Sequence, residues 1–136
     1  MKNSTIYMTL LVLLTLVGFN SCGSNNSNSP GKSVIALFDS MKSKDFEKSA
    51  SMYVKNKGEK LSKEEAKKLE GMIGMGAKNY EKKGGLDSIT IDEEKISEDG
   101  NSAKVSFTIY YKNGKTEKET MHLAIINGKW MFEISN

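Results

Sequence analysis

Apolar residues with helical spacing dominate the first half of the chain after residue 31. Behind Pro30-Gly31, the positions that share one helical face are Val34, Ile35, Leu37, Phe38 and Met41. Apolar residues at intervals of three and four predict an amphipathic helix, and a proline in the first turn is a start signal. A second, shorter helix is predicted after Asp45, which can cap it, with Phe46, Ala50 and Tyr53 turned inward.

A third and longer helix is predicted between residues 62 and 83. Ser62 with Glu65 forms a capping-box pattern, and Gly84-Gly85 marks the end of the helix. The apolar stripe of this helix consists of Ala66, Leu69, Ile73, Ala77 and Tyr80. Each glycine inside it costs about 1 kcal/mol relative to alanine. Two explanations stay open for Gly71, Gly74 and Gly76, namely a close approach to the sheet and a kink.

Strict alternation of apolar and polar residues replaces the helical spacing in the second half of the chain. The clearest run places Ala103, Val105, Phe107, Ile109 and Tyr111 on one side of a strand. Later stripes consist of Met121, Leu123 and Ile125, and then of Trp130, Phe132 and Ile134. Asn113-Gly114 and Asn127-Gly128 are hairpin-turn dipeptides, so these three strands are predicted to pair antiparallel in sequence order.

The register of the two hairpins can be predicted because the apolar stripes must share one face. A two-residue turn at 127–128 places Ile125 opposite Trp130, Leu123 opposite Phe132 and Met121 opposite Ile134. A two-residue turn at 113–114 would pair Phe107 with a polar-face residue. A three-residue loop over 112–114 instead pairs Phe107 with Glu119 and Val105 with Met121, with Gly114 left-handed in a bulge.

A strand before these three completes the predicted sheet. It carries Leu86, Ile89, Ile91 and Ile96, and the change of parity between Ile91 and Ile96 predicts a bulge near Glu93-Glu94. The predicted fold class is therefore α+β, with about three N-terminal helices packed on a curved, four-stranded antiparallel sheet.

The first 22 residues have the pattern of a targeting segment. Lys2 gives a positively charged start, and Met8 to Phe19 form an apolar run of 12 residues. A membrane-spanning helix needs about 20 apolar residues, so this run fits the core of a signal peptide. Ser21 before the lone Cys22 resembles a lipobox. The resemblance implies that Cys22 becomes the mature N-terminus with a diacylglyceryl thioether and an amide-linked acyl chain such as palmitate. The alternative is an ordinary secretory signal with an incidental cysteine.

The predicted domain organisation follows from this segment. Residues 1–21 are the lipoprotein signal peptide, residues 22–31 a flexible tether that begins at the lipidated Cys22, and residues 32–136 an α+β domain. The tether consists of Gly, Ser, Asn and Pro behind the cysteine, a composition without large apolar side chains. By the sorting rules of lipoproteins, the absence of Asp directly after Cys22 implies an outer-membrane protein that faces the periplasm.

Charge composition excludes a nucleic-acid interface. The formal net charge is +3, all basic residues are lysines, and acidic residues are interleaved with them. Arginine supplies the planar fork that grips phosphates and guanine edges, and this chain has none. A mixed, solvated surface is therefore expected. The single cysteine also excludes an intrachain disulfide.

Short strings at the turns support a family resemblance. They are Lys44-Asp45-Phe46-Glu47-Lys48, Glu98-Asp99-Gly100 before Ala103-Lys104-Val105, and Asn127-Gly128-Lys129-Trp130. Together with the element order, they resemble the bacterial envelope lipoproteins built on domain of unknown function 4878. The order alone is similar to the nuclear transport factor 2-like (NTF2-like), cystatin-related cone. The resemblance implies the cone fold over Pro30 to Asn136 and implies no activity. The lumazine-binding label of some relatives is not carried over.

Candidate chemistry in the chain is sparse. His122 is the only histidine, which excludes a His-based metal cluster or a Cys–His pair. The register places it on the outer sheet face opposite Glu133, which predicts a structural cross-strand pair. Enzymes with the cone fold use an Asp or a Tyr–Asp pair in the pocket, so Asp87, Asp92, Tyr110 and Tyr111 are the members available here. The alternative for Asp92 is a solvated turn carboxylate.

Two apolar surfaces are candidate binding sites. Pocket-lining candidates on the face towards the helices are Phe38, Phe107, Tyr111, Trp130 and Phe132, with core packing as the alternative. Interface candidates on the opposite sheet face are Tyr110, Ala124, Ile126 and Met131, with scattered surface residues as the alternative.

The sequence therefore favours a lipid-anchored cell-envelope protein without catalytic residues, metal or cofactor. Its cone-shaped domain is expected to bind a small apolar or planar ligand or a protein partner, and its contact with the membrane is expected to run through the acylated Cys22. Two alternatives remain, an NTF2-like enzyme with an Asp-centred pocket and an assembly module that forms a homodimer or a complex through its sheet face.

Overall fold

The computed structural model of the chain describes residues 28–134. The predicted signal peptide, Cys22 and most of the predicted tether lie outside the described residues. Among residues 28–134, no helix combines the length and the apolar character needed to cross a bilayer.

Three α-helices come first, at the predicted positions. They are α1 (Pro30–Lys42), α2 (Phe46–Ala50) and α3 (Lys63–Lys83). The side chain of Asp45 caps α2 by accepting from the Lys48 amide, and Ser62 and Glu65 form the predicted capping box of α3. Because α1 begins at Pro30, and Pro30 and Gly31 are both buried, the tether prediction extended two residues too far. These residues belong to the domain.

The sheet has five strands, and the prediction of four was wrong. They are β1 (Tyr53–Lys55), β2 (Leu86–Ile96), β3 (Ser102–Tyr111), β4 (Thr116–Ile126) and β5 (Lys129–Ile134). Their order across the sheet is β1-β5-β4-β3-β2, and β1 pairs parallel with β5 while the others are antiparallel. Tyr53 belongs to β1 and was wrongly assigned to the second helix. Its ring lies 5.1 Å from that of its partner Phe132.

Both predicted hairpin registers are confirmed. Ile125 pairs with Trp130 and Leu123 with Phe132 across the turn at 127–128. Phe107 pairs with Glu119 across the loop at 112–114, where Gly114 has a φ of 82°. That left-handed conformation is the one predicted for the bulge glycine.

β2 contains the predicted bulge, one residue earlier than expected. Its register against β3 shifts between Ile91 and Glu93. The shift turns Glu94 towards the core side, where its carboxylate accepts a hydrogen bond from the Gly31 amide at the start of α1. A carboxylate there stabilises a helix whose own first turn has no acidic residue. Ile96, predicted on the core face, is 54% exposed at the end of the strand.

The core lies between the helices and one face of the sheet. Its buried side chains are Val34, Leu37, Phe38, Ala103, Val105, Phe107, Ile109, Tyr111, Leu123, Trp130 and Phe132. α3 is one continuous helix, so its glycines do not break it. A Cβ on Gly74 would lie 3.4 Å from the Phe46 ring of α2, whereas Gly71 and Gly76 face open space. Neither of the two explanations left open, a kink in α3 and a close approach to the sheet, accounts for these three glycines.

Candidate functional site

The five predicted pocket-lining residues lie in the packed core. Their exposed fractions are 2% for Phe38, 0% for Phe107, 4% for Tyr111, 7% for Trp130 and 4% for Phe132. The Phe38 ring contacts Phe107 edge-on at 5.3 Å between centroids, and Tyr80 of α3 lies 5.9 Å from Phe38. These rings fill the space between the helices and the sheet in which the cone would hold a ligand.

A crevice of about 120 Å³ remains between the helices and the start of β2. It is lined by residues of α1, α3 and the 85–86 region, among them Met41, Ala77, Tyr80 and Leu86. Pockets for small molecules usually enclose about 300–1,000 Å³, so this crevice is too small for such a ligand.

The predicted Asp–Tyr members do not come together. Asp92 lies at the β2 bulge, is exposed, and accepts a hydrogen bond from Thr108 at 2.7 Å. Asp87 is also exposed at the start of β2, and Tyr110 is 39% exposed on the outer sheet face. The arrangement required by the enzyme hypothesis, a buried carboxyl within reach of a tyrosine, is not formed by these residues.

Tyr111 contacts a different carboxylate, which the sequence analysis missed. Its hydroxyl donates to Glu117 Oε2 at 2.5 Å, and Lys83 Nζ lies 2.9 Å from both oxygens of the same carboxylate. The hydrogen bond from Lys83 and then that from Tyr111 lower the pKa of Glu117. Burial and the bond to Glu117 raise the pKa of Tyr111. An ionised carboxylate with a lowered pKa is a poor proton donor near neutral pH. This cluster is therefore suited to hold the C-terminal end of α3 against β4.

The sequence contained a signal for this cluster. In β4, Glu117 pairs with Ile109 and Glu119 pairs with Phe107, so both glutamates continue the inward stripe of Met121 and Leu123. Alternation that carries two acidic residues onto a core face indicates a polar contact at the end of a strand.

His122 lies on the outer sheet face, as predicted. It is exposed and pairs with Lys104, which in turn pairs with Lys95. Glu133 lies with these three side chains in a shallow depression of about 500 Å³. Exposed lysines beside one histidine and one glutamate form a solvated surface. Within residues 28–134, no group of three or more His, Cys, Asp or Glu side chains is placed to hold a metal ion.

A groove with a mainly apolar lining lies at the edge of the sheet formed by β1 and β5. It lies where the segment 56–61, which begins with a 3₁₀ turn (Asn56–Gly58), folds over the ends of β4 and β5. The groove encloses about 400 Å³, within the range of ligand pockets. Its apolar lining comes from Ala50, Tyr53, Val54, Leu61, Ala66, Ile126 and Met131, and its polar lining from Ser51, Lys60, Asn127 and Lys129.

Two positive charges and no carboxylate line this groove. The nearby Glu59 and Glu65 carboxylates both contact Lys55, at 3.4 and 3.1 Å, so a lysine outside the lining offsets one of their two negative charges. Burial raises the pKa of Tyr53 to about 12, so its phenol is neutral at physiological pH. The groove thus combines an apolar floor with a basic rim.

The predicted interface residues are divided between two places. Ile126 and Met131 line the groove, and the Gly58 backbone packs against Ile126. Ala124 is half-buried beside them and pairs with Met131. Tyr110 pairs with Thr116 at the opposite end of β4, so the structure does not bring it to the other three.

Comparison with one known structure supports the fold. The chain is similar to a Campylobacter jejuni protein provisionally described as an NTF2-like transpeptidase, with a TM-score of 0.63 and 21% identity over 79% of this chain and 100% of that one. Two others are Aln2 from a Streptomyces species (TM-score 0.43, 16% identity, 75% of this chain and 81% of that one) and a de novo designed protein with a curved β-sheet (0.46, 15%, 77% and 95%). No curated protein matches the sequence.

A family match covers most of the chain. The sequence model of DUF4878, described as a domain of unknown function, matches residues 20–133. The range includes the three helices and the strands as far as Glu133 in β5. The chain therefore belongs to the DUF4878 family, and its domain has an NTF2-like fold.

Proposed function

We propose that this protein is a lipid-anchored component of the cell envelope whose domain binds a small apolar ligand without catalysing a reaction. The anchor is the acylated Cys22, and the protein faces the periplasm from the outer membrane. The pattern of Lys2, the 12-residue apolar run and Ser21-Cys22 supports the anchor. Two or three acyl chains hold a protein at a membrane durably, because each buried CH₂ contributes about 0.8 kcal/mol.

The observation that carries the binding proposal is the groove at the 56–61 segment. It has the volume of a ligand pocket and an apolar floor, whereas the interior of the cone is filled by aromatic rings. Its lining offers hydroxyl, amide and ammonium groups, and it contains no carboxylate, imidazole or thiol that could serve as a general base for them. Binding is therefore the function that this geometry favours over catalysis.

Binding of a neutral fluorescent long-chain alcohol tests the proposal. We expect saturable binding by the purified protein and a clear loss of affinity in Met131→Gln, because the substitution places an amide on the apolar floor. Met72→Gln is the matched control, since Met72 is 55% exposed on α3 and lies outside the groove lining. Binding that is absent, or that both variants change equally, contradicts the proposal.

A further inference from the structure

We infer that the groove opens towards the membrane that holds the lipid anchor, and that its ligand is an amphipathic lipid anion taken from that membrane. This inference rests on the proposed anchoring at Cys22 and on the proposed binding in the groove. It adds the orientation of the domain and the chemical class of the ligand.

The first argument is the place at which the chain enters the domain. The Asn28 side-chain amide donates a hydrogen bond to the carbonyl of Gly128 in the β4–β5 turn. The two neighbours of Gly128, Asn127 and Lys129, both line the groove. The tether therefore reaches the folded domain at the rim of the groove.

The second argument is the length of chain between this point and the anchor. Five residues separate Cys22 from Asn28. A chain extends at most about 3.5 Å per residue, so the rim of the groove lies within roughly 20 Å of the lipidated residue. The β3–β4 loop lies at the other end of the 11-residue strand β4. At about 3.3 Å per residue, this strand separates the β3–β4 loop from the rim of the groove by roughly 35 Å.

The third argument is the charge of the groove. Lys60 and Lys129 stand beside an apolar floor that includes Val54, Leu61 and Ile126, and no carboxylate belongs to the lining. An apolar chain fits the floor, and an anionic head group is attracted by the two ammonium groups. A cationic or purely apolar ligand would leave both lysines without a complementary charge. The lining thus matches a lipid with one alkyl chain in the groove and a negative head at the rim.

Reconstitution of the full-length, lipidated protein in phospholipid vesicles tests the orientation. Cys22 is the only natural cysteine, and acylation blocks its thiol, so one introduced cysteine can carry a fluorescent donor. Asn56→Cys places the donor beside the groove, and Lys115→Cys places it in the β3–β4 loop as the matched control. The acceptor is placed on the lipid head groups, and the donor and acceptor dyes are chosen so that energy transfer between them occurs only over short distances. We then expect strong energy transfer from position 56 and weak transfer from position 115.

The ligand class is tested with two probes of equal chain length, a fluorescent fatty acid and the corresponding alcohol. The double variant Lys60→Gln/Lys129→Gln is expected to bind the acid about tenfold more weakly than wild type, because it loses charge-assisted contacts. Its affinity for the alcohol is expected to equal that of wild type. The control is Lys78→Gln/Lys82→Gln, two exposed lysines near the end of α3. It is expected to change neither affinity.

The outcomes separate this inference from the function on which it rests. If the protein is not acylated and does not bind vesicles, the proposed anchoring at Cys22 is wrong. If the alcohol does not bind, the proposed binding in the groove is wrong. If the protein is anchored and positions 56 and 115 show equal transfer, the orientation is wrong. If Lys60→Gln/Lys129→Gln leaves the affinity for the acid unchanged, or weakens the binding of acid and alcohol alike, the inference that the ligand is an anion is wrong.

Discussion

Gly58 is the residue on which the shape of the groove most depends. Its φ of 77° lies in the left-handed region, and a Cβ there would be 2.7 Å from Ile126 Cδ1. Lys57 before it also has a left-handed backbone, with a φ of 64°. Glycine at this position therefore lets the segment 56–61 lie close to β4 without backbone strain and without a shift of the Ile126 side chain.

Two glycine substitutions should change stability in opposite directions. Gly58→Ala is expected to lower the free energy of unfolding by about 1–3 kcal/mol, because it adds backbone strain and a steric contact. Gly71→Ala is expected to raise it by about 0.5–1 kcal/mol, since Gly71 lies in α3 with nothing within 4 Å of the added Cβ. Urea unfolding followed by the fluorescence of Trp130, the single tryptophan, measures both. A Gly58→Ala protein as stable as wild type would contradict the described contact with Ile126.

α3 is fixed at its two ends by different polar contacts. Ser62 and Glu65 close its first turn, and Lys83 in its last turn contacts Glu117 of β4. Tyr111 donates to the same carboxylate from β3. The helix is thus connected to two strands of the sheet at the end far from the groove.

The Glu117 contacts predict an acid-dependent loss of stability. Because its pKa in the folded protein is lower than in the unfolded chain, the unfolded chain takes up the proton more readily. The stabilising contribution is therefore complete at pH values above the ordinary glutamate range, near about 4.3, and is lost as the pH falls through the lowered pKa of the folded state. Urea midpoints measured from pH 7 to pH 3 should fall less steeply in Glu117→Gln than in wild type. Equal slopes would show that the contact with Lys83 and Tyr111 does not bias the protonation of Glu117.

Individual elements show what the sequence could and could not predict. Caps and hairpin turns are local, so Asp45, Ser62 and Gly114 allowed the helix starts and the β3–β4 register to be predicted. β1 has only three residues, too few for a period to be recognised, and it forms through parallel pairing with the distant β5. Tyr53 has helical spacing from Phe46 and Ala50, which explains its wrong assignment.

At the scale of the whole molecule, the sequence predicted the layers but not the site. Alternation along β3 to β5 predicted which sheet face is buried, and the buried face is the predicted one. The groove could not be predicted in this way, because it needs the 56–61 segment to fold over the outer face near Ile126. No periodic pattern encodes such a contact. The same fold-over removes Ile126 and Met131 from the continuous outer patch that the alternation had indicated.

Membrane attachment gives this fold its proposed biological setting. An NTF2-like domain with a filled core and a groove at its chain entrance is placed beside a lipid surface only if Cys22 is acylated. The orientation of the groove and the membrane as the source of its ligand both depend on this single modification. Its absence would leave an NTF2-like domain with an apolar groove and no membrane nearby.

Mass spectrometry of the N-terminal peptide, from protein extracted from bacterial membranes, tests this claim most directly. We predict a peptide that begins at Cys22, lacks residues 1–21, and carries a diacylglyceryl thioether with an amide-linked acyl chain. The Cys22→Ser protein should no longer be found in the membrane fraction, because the variant cannot form the thioether. A peptide with an unmodified Cys22 thiol, or an uncleaved chain that still begins at Met1, would contradict the account.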